Sequence, residues 1–480
     1  MILPRYPSYQ KSGTPWLGKI PSHWRSVPNR AVFREIVDQN HPEEQLLSVT
    51  INRGIIQQSE LLSDTSKKDS SNLDKTKYKL VLPEDLAYNK MRAWQGALGV
   101  SKFRGIISPA YIVMRLRGGN HPRYFHYFFR TPSFAKEAER WSYGITSDMW
   151  SLRPEHFRLI GICVPPLAEQ KQIARYLDWK TSQIGTFISN KRQLISLLKE
   201  QKQNLIHQAI VRGLDPHAST KPSGIEWLGN IPENWEAIKL KRVITPIEQG
   251  WSPQCDAQPA TGEEFGVLKV GCVNSGVLDL TQNKKLPVSL EAKVDKSLAI
   301  TTDDILVSRA NTRELLGLAA RALENAPNIL LCDKLFRFRA NPDLAIPQFI
   351  VLAIRSKGSR VQIESSANGA SSSMQNIGQG VIWNLWIPLP PLDEQRTILT
   401  HIAMKTSTID AAIARAEREI ELITEYRTRL VADVVTGQVD VRGIDVPEGD
   451  WSAACDASTS ADEDPKDLNP IEHELEEAEA

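Results

Sequence analysis

Two stretches of the chain place cationic, amide, hydroxyl and aromatic side chains at matching positions. Residues 89–95 read N-K-M-R-A-W-Q, and residues 308–314 read S-R-A-N-T-R-E. Lysine and arginine bind phosphates, whereas guanidinium and amide groups can pair with the edges of nucleic-acid bases. Lys90 and Arg309 share one position, which suits a backbone phosphate. The candidate DNA-contacting residues of these stretches are Asn89, Lys90, Arg92, Trp94, Gln95, Ser308, Arg309, Asn311, Thr312 and Arg313.

A second pair of loops carries further candidates. Residues 141–147 read W-S-Y-G-I-T-S and correspond to residues 366–372, S-A-N-G-A-S-S. From these we select Tyr143, Asn368 and Ser371. For every residue in both sets the alternative is an ordinary polar or aromatic side chain of an exposed loop.

Sequence motifs of catalysis are missing from the chain. No G-x-G-x-x-G follows a strand, and there is no G-x-x-x-x-G-K-[ST], H-E-x-x-H or G-x-S-x-G. The [ND]-P-P-[YF] tetrapeptide with which amino-methylating enzymes hold a flipped base is also missing. Cysteine and histidine show no metal-ligand spacing. We therefore expect no catalytic residue, no metal site and no directly bound cofactor.

Length and composition are those of a multidomain globular protein. The chain has 480 residues, of which 41% are hydrophobic and 24% charged, and this length predicts two or more domains. It contains no long apolar run and no signal-peptide pattern at its start, so we expect no membrane contact. The five cysteines are scattered, which favours reduced thiols and a cytoplasmic location.

The formal net charge of +1 combines two opposite regions. Residues after 443 hold 13 acidic side chains and one lysine, so residues 1–443 hold 57 basic and 44 acidic side chains, a net charge of +13. A basic body is compatible with nucleic-acid binding, although such surfaces are often only solvated. The acidic tail is predicted to be disordered. It either solubilises the chain, mimics DNA or docks a partner.

The chain contains an internal duplication. Residues 12–24, S-G-T-P-W-L-G-K-I-P-S-H-W, return 211 positions later as residues 223–235, S-G-I-E-W-L-G-N-I-P-E-N-W. Residues 165–170, P-P-L-A-E-Q, return 225 positions later as P-P-L-D-E-Q. Within each half we expect two strands joined by a glycine turn (46–56 and 268–278), a strand entered from an acid (Asp85 and Asp304), and a helix (122–130 and 347–355).

Each half ends in a long heptad pattern. The apolar positions share one register at an offset of 225 and continue for nearly four heptads, as in a coiled coil. Lys191 and Lys202 interrupt the seam, with Ala416 and Arg427 as their counterparts. A helix of about 40 residues is roughly 60 Å long. The predicted seam residues are Ile184, Ile188, Ile195, Leu198, Leu205, Ile409, Ile413, Ile420, Ile423 and Leu430.

These patterns predict an α+β fold: two mixed α/β domains separated by two long helices that form an antiparallel coiled coil, with pseudo-two-fold symmetry. The alternative is that each helix flanks only its own domain. The predicted segments are a first domain (1–164), a first helix (165–213), a linker with the second domain (214–389), a second helix (390–440) and the acidic tail (441–480).

The paired W-L-G-x-I-P-x-x-W and P-P-L-x-E-Q motifs, the heptad helices and Asp85/Asp304 together resemble the specificity subunits of type I restriction-modification enzymes, over about residues 6–440. The resemblance implies two target-recognition domains that each read one half of a bipartite, asymmetric site in double-stranded DNA. The helices would set the spacer and dock two methyltransferase subunits, which carry S-adenosylmethionine. Motor-nuclease restriction subunits, with ATP and magnesium, would complete the assembly. The chain would direct adenine methylation and restriction without performing either.

Two other interpretations of the sequence remain open. The chain could be a self-sufficient enzyme that acts on DNA through an unfamiliar site. It could also be a coiled-coil scaffold without a DNA role. The W-L-G segment near the start matches the linker after the first helix, so the chain is close to a circular permutation of itself, and we expect its ends to lie near each other.

Overall fold

The computed structural model of the chain describes residues 3–51, 53–63, 74–145, 149–371 and 374–451. The chain divides into two compact units, the first made of residues 1–195 and 415–480, the second of residues 196–414. Each unit thus contains the start of one long helix and the end of the other. The predicted disorder of the acidic tail concerns residues that, beyond Trp451, lie outside the described part. The predicted domain boundaries stay predictions.

The first unit is a mixed α/β domain. Its strands are β1 (Tyr9–Lys11), β2 (Lys19–Pro21), β3 (Arg25–Pro28), β4 (Phe33–Ile36), β5 (Leu47–Thr50), β6 (Gly54–Gln57), β7 (Lys79–Val81), β8 (Leu86–Asn89), β9 (Leu98–Val100), β10 (Gly105–Ile107), β11 (Tyr111–Leu116) and β12 (Gly161–Val164). Its helices are α1 (Gln58–Ser63), α2 (Pro122–Phe129), α3 (Pro132–Arg140), α4 (Pro154–Phe157) and the first part of α5 (Leu167–Arg212).

An antiparallel sheet of order β4-β11-β8-β9 forms the centre of this unit. The helix α2 begins with a proline at its first turn and is rich in aromatic residues, which suits packing on a sheet. Its aromatic rings are buried in one core with Trp24 and with residues of both long helices. The strand β8, which leads into the first candidate loop, is thus an inner strand of this sheet and is supported by the core.

The second unit repeats this plan. Its strands are β13 (Thr220–Pro222), β14 (Asn230–Pro232), β15 (Glu236–Lys239), β16 (Glu248–Gln249), β17 (Gly266–Leu268), β18 (Asn283–Lys285), β19 (Ala299–Ile300), β20 (Ile305–Ser308), β21 (Ala310–Asn311), β22 (Ala319–Arg321), β23 (Ala326–Leu330), β24 (Leu335–Phe338), β25 (Asn368–Ser371), β26 (Met374–Asn376) and β27 (Trp386–Leu389). Its helices are α6 (Val288–Glu291), α7 (Pro347–Arg355), α8 (Lys357–Ser365), α9 (Gln379–Trp383) and the first part of α10 (Leu392–Val435).

The sheet of order β16-β24-β20-β22 is the counterpart of β4-β11-β8-β9. The pair β15-β27 corresponds to β3-β12, and β13-β14 corresponds to β1-β2. The predicted helices at 122–130 and 347–355 are α2 and α7. The duplication read from the sequence is therefore a duplication of fold.

The prediction of two strands at 268–278 is wrong, although the equivalent prediction at 46–56 is correct. In the first unit β5 and β6 form a ladder. In the second unit β17 is followed by a 3-10 turn, and Val277 forms only an isolated bridge. The guanidinium of Arg355 donates hydrogen bonds to the carbonyls of Val273 (3.1 Å) and Asn274 (2.7 Å). Because a side chain satisfies these carbonyls, they are not available to a strand ladder.

The two long helices contain 46 residues (α5) and 44 residues (α10). In the first unit Lys191 Nζ lies 2.6 Å from Glu419 Oε2, and in the second Lys202 Nζ lies 2.6 Å from Asp410 Oδ1. The residue numbers of the partners on α10 thus decrease as those on α5 increase, so the two helices pair in antiparallel orientation. Buried seam residues are Ile184, Ile188, Ile195, Ile409, Ile413 and Leu430; Leu198, Leu205, Ile420 and Ile423 are partly buried.

Each unit has a core formed jointly by the start of one long helix and the end of the other. In the first unit Val434 and Val435 of α10 share a core with Ile173 of α5. In the second unit Ile210 of α5 shares a core with Ile398 of α10. Each helix therefore contributes to both units, and the alternative in which a helix flanks only its own domain is wrong.

The P-P-L-x-E-Q motif ties the start of each long helix to its domain. The side chain of Gln170 is buried, accepts a hydrogen bond from the amide of His121 (2.7 Å) and donates to the carbonyl five residues upstream. Gln395 is equally buried, accepts from the amide of Ile346 (2.9 Å) and also donates five residues upstream. His121 and Ile346 are the N-cap residues of α2 and α7, so the glutamines hold the start of the helix that packs on each sheet.

The W-L-G-x-I-P-x-x-W motif also packs at the start of the long helix. Trp24 Nε1 donates a hydrogen bond to Glu169 Oε1 (3.0 Å), and the hydroxyl of Tyr6 donates to the same oxygen (2.5 Å). Burial and this contact raise the pKa of Tyr6. In the second unit Glu394 accepts a hydrogen bond from Asn234 (2.9 Å) instead. Both motifs are structural, and neither contributes directly to the candidate loops.

The start of the chain lies against the segment that follows α10. The carbonyl of Pro4 accepts a hydrogen bond from the amide of Asp440 (2.9 Å), and Gln438 donates to the carbonyl of Lys19 (3.0 Å). Residues 12–24 therefore lie against the end of α10. In the second unit Trp235 shares a core with Ile210, near the end of α5. Among the described residues, no helix combines the length and apolar character required to cross a bilayer.

Candidate nucleic-acid interface

The first candidate loop follows β8 and is held by its own side chains. Asn89 is buried, and its Oδ1 accepts a hydrogen bond from the amide of Met91 (2.9 Å). Trp94 Nε1 donates to the carbonyl of Met91 (2.9 Å), and Arg92 Nη1 lies 3.3 Å from Gln95 Oε1. Asn89 thus shapes the loop from inside, whereas Lys90, Arg92, Trp94 and Gln95 are partly exposed.

The second candidate loop of the first unit lies directly beside the first. The amide of Leu152 donates a hydrogen bond to the carbonyl of Lys90 (2.8 Å). The rings of Trp94 and Trp150 meet edge to face, with centroids 5.4 Å apart. Tyr143 is 60% exposed and its ring lies 5.1 Å from that of His156. Two loops that the sequence suggested separately therefore form one surface.

The loop after β20 in the second unit is built in the same way. Ser308 is fully buried, and its hydroxyl donates to the carbonyl of Leu315 (2.6 Å) while it accepts from the amide of Leu318 (3.1 Å). Arg309 is partly exposed, and its guanidinium donates to the carbonyl of Asp333 (3.1 Å). Ser308, like Asn89, holds the loop from the interior.

The exposed part of that loop is polar. Asn311 accepts a hydrogen bond from the amide of Thr312 (2.9 Å) through its own side chain. Thr312 and Arg313 are exposed, and Arg313 Nε lies 3.6 Å from Glu364 Oε2. Cations and amides at this surface have the donors and acceptors that phosphates and base edges require.

The second pair of loops also converges in this unit. The strand β26 joins β21, which contains Asn311, to β25, which begins at Asn368. The amide of Ile377 donates to the carbonyl of Arg309 (3.0 Å), the counterpart of the bond between Leu152 and Lys90. Asn368 is exposed, and Ser371 ends β25. Residues 146, 147 and 372 of these loops lie outside the described residues.

One equivalent hydrogen bond therefore unites two loops in each unit, while the exposed side chains differ. The first surface carries the aromatic side chains of Trp94 and Tyr143, and the second carries the polar side chains of Asn311, Thr312 and Arg313. Trp150 and the exposed Met149 of the first surface were not predicted from the sequence. The predicted DNA contacts of all the candidate residues stay predictions.

The strand in front of each loop is anchored by a buried carboxylate. Arg115 donates two hydrogen bonds of 2.8 Å to Asp85, and Arg339 donates one of 2.7 Å to Asp304. The hydrogen bond to Asp85 is the main reason that the pKa of Arg115 is raised. Since Asp85 and Asp304 immediately precede β8 and β20, these pairs position the strands that carry the loops.

The chain is similar to known specificity subunits of type I restriction enzymes. It is 22% identical over 442 residues to the type I restriction enzyme StySPI specificity subunit of Salmonella potsdam, with 88% of this chain and 90% of the relative covered. It is 22% identical over 465 residues to the EcoKI specificity subunit of Escherichia coli (strain K12), with 91% and 94% covered. This chain is a relative of the type I restriction enzyme specificity subunits. No protein-family model matches it.

A solved structure shares the fold of the chain. That structure comes from work on the complex assembly and conformational transition of the type I R-M system. The match has a TM-score of 0.60 at 14% sequence identity and covers 87% of this chain and 98% of the other. The specificity-subunit fold, with mixed α/β domains and two long helices, is thus that of this chain.

Proposed function

We propose that this chain is the sequence-specific DNA-recognition subunit of a type I restriction-modification complex. Each unit would read one half of a bipartite, asymmetric site in double-stranded DNA. The observation that carries the proposal is that two equivalent frames, each with a buried aspartate paired to an arginine and with two joined loops, present different exposed side chains. Two unlike surfaces on one repeated scaffold suit two unlike half-sites.

The proposed division of labour leaves chemistry to partner subunits. Two methyltransferase subunits would bind S-adenosylmethionine and methylate adenine, and restriction subunits with ATP and magnesium would cut unmodified DNA. The similarity to specificity subunits and the missing catalytic motifs support this assignment. The basic net charge of residues 1–443 favours association with the DNA backbone.

Selection from a random duplex pool tests the proposal. The chain assembled with methyltransferase subunits from the same source is incubated with the pool, and the retained DNA is sequenced. We expect two conserved half-sites separated by a spacer of constant length and no conserved sequence. Retention without any common motif would contradict the proposal and favour a scaffold.

A second experiment separates recognition from catalysis. The purified chain alone is incubated with retained, unmodified DNA, S-adenosylmethionine, ATP and magnesium, and methylated and cut products are measured. We expect neither product until the methyltransferase and restriction subunits are added. Methylation or cleavage by the chain alone would identify a self-sufficient enzyme instead.

A further inference from the structure

A cleft of about 350 Å³ lies in the first unit, beside the start of α5. It is lined by basic side chains from three parts of the chain: a loop after β9, the start of α2 and the first turns of α5. The final described residues form its remaining wall. The charged and aromatic residues that line it include Lys102, Arg123, Lys171, Arg175, Asp450 and Trp451.

The cleft carries an excess of positive charge. Four cations face the carboxylates of Asp178 and Asp450. Asp178 lies 2.6 Å from Arg123 and is itself buried. His121 also lines the cleft, and burial, with help from Lys171, lowers its pKa. The excess of cations makes the cleft electrostatically suited to an anion such as a peptide carboxylate.

The internal repeat does not require this charge. The positions 225 residues after the cleft residues of α2 and α5 carry mostly neutral side chains in the second unit: Ile346, Gln348, Arg396, Thr400 and Ala403. The second unit folds on the same plan without the cluster of cations. The basic cleft is therefore a property of the first unit and not a requirement of the fold.

The cleft lies away from the candidate nucleic-acid interface. In the antiparallel pair of β8 and β9, Tyr88 is opposite Leu98 and Leu86 is opposite Val100. The candidate loop joins the strands at the end marked by Tyr88 and Leu98, whereas Lys102 follows the opposite end. A duplex seated on the loops would thus meet the other end of these strands. This arrangement favours an acidic occupant other than the half-site DNA.

The chain itself delivers such an occupant to the cleft. Gln172 donates hydrogen bonds to the carbonyls of Val441 (3.1 Å) and Ile444 (2.8 Å), and Arg175 donates to that of Val446 (2.7 Å). These bonds lead the segment after α10 across α5 until Trp451 reaches the wall of the cleft. The following 29 residues contain ten acidic side chains and one lysine.

We propose that the basic cleft of the first unit binds the acidic C-terminal residues 456–479 of the same chain. The cations of the cleft would pair with the carboxylates, and the tether at Trp451 would keep their effective concentration high. The interaction would lower the positive potential of the basic body. It does not depend on the proposed role in DNA recognition.

Carbodiimide coupling of carboxylates to lysine amines tests the proposal on the full-length chain. We expect cross-links from residues 462–479 to Lys102 and Lys171 in a yield about fivefold above that at the exposed Lys241 and Lys284. The preference should disappear in 1 M salt, where the screening length is about 3 Å. Equal yields at all four lysines would overturn the proposal.

Two matched variants isolate the charge of the cleft. Lys171→Glu and Lys171→Arg both remove the amine of Lys171, which is exposed, so the yield at Lys102 reports the charge alone. We expect the yield at Lys102 to fall about fivefold in Lys171→Glu and to stay unchanged in Lys171→Arg. The same yield in both variants would contradict the proposal.

Two other occupants are distinguished by further outcomes. In a mixture of isotopically light and heavy chains, cross-links within one chain are expected, and mixed cross-links would assign the cleft to a second copy. Amine acylation of Lys102 and Lys171 is also measured after the ten tail carboxylates are replaced by amides, and in the presence of a DNA duplex. If the replacement leaves the acylation unchanged and only the duplex reduces it, the cleft binds nucleic acid. Either result would overturn binding of the chain's own tail.

Discussion

The carboxylate of Asp85 lies 2.8 Å from both Nε and Nη2 of Arg115, and the pair holds the start of β8. Asp85 Oδ2 also accepts a hydrogen bond from the amide of Leu82 (3.0 Å), which closes the turn before the strand. Glu84 in this turn has a left-handed φ of 74°. The second unit repeats the arrangement with Asp304 after a left-handed residue of its own.

Replacing the acid should weaken the strand that supports the candidate loop. In Asp85→Asn the charge that pairs with Arg115 is lost from a nearly buried position, and we expect a destabilisation of about 2–3 kcal/mol. Hydrogen exchange of the β8 amides measures the local loss. The exposed Glu43→Gln serves as the control and should change exchange little. Equal effects of the two substitutions would contradict the anchoring role.

Two glycine substitutions probe how the segments after the long helices dock. In Gly437→Ala, at a φ of 76°, the new Cβ would lie 2.4 Å from Pro21 Cδ, so we expect a loss of about 3 kcal/mol. Gly213→Ala, also at 76°, meets only an ordinary contact at 3.4 Å and should cost about 1 kcal/mol. Denaturant unfolding measures both changes.

Gly443→Ala is the matched control for these variants. An added Cβ at Gly443 meets nothing within 4 Å, so its effect on the free energy of unfolding should be small. If Gly437→Ala were no more destabilising than Gly443→Ala, Pro21 would not pack against Gly437 in the folded protein.

The pairing of the long helices predicts a charge-reversal effect. Lys191→Glu places a like charge beside Glu419, and we expect a destabilisation of about 1 kcal/mol at low salt. Adding Glu419→Lys should restore most of the loss, since the pair is reversed and not removed. The double-mutant cycle is measured at low and high salt, where screening should reduce the coupling. Zero coupling at low salt would contradict the pairing.

The two candidate surfaces predict half-site effects that are independent. Tyr143→Ala in the first unit and Arg313→Ala in the second each remove an exposed side chain, so the free energy of unfolding should change little. We expect each variant to relax or weaken one half of the selected DNA site. Arg418→Ala, with a side chain as exposed as that of Arg313, is the control. A change in both half-sites from one substitution would contradict independent reading.

The helices predict the spacer of the site. A heptad added to α5 between Ile195 and Leu198, with a matching heptad in α10 between Ile413 and Ala416, extends the paired helices by about 10 Å. On rise alone this corresponds to about three base pairs of DNA. Selection with the extended chain should return the same half-sites with a longer spacer. An unchanged spacer would refute the proposal that the helices set the spacer length.

Much of the fold could be read from local patterns. Heptads at a common register predicted two long helices, and the paired motifs predicted two copies of one domain, because helix periodicity and repeated segments are visible within a short window. The strands at 268–278 could not be read in this way. Their pattern resembles that at 46–56, but the guanidinium of Arg355, distant in the chain, binds the carbonyls that a second strand would use.

The candidate site, too, was predictable from the sequence in part only. The residue types at 89–95 and 308–314 are enough to identify loops with suitable chemistry. Which side chains face solvent depends on packing: Asn89 and Ser308 belong to the interior, where they hold the loops. Trp150 belongs to the site only because its ring lies against that of Trp94.

From its sequence alone this protein is recognisable as a duplicated, helix-linked chain with basic loops, since periodicity, repeats and charge are local properties. Tertiary structure decided which loops share a surface and which polar groups are buried. It also placed the basic cleft at the start of α5, in the path of the chain leaving α10. These features depend on contacts between residues tens to hundreds of positions apart, and no local pattern encodes such contacts.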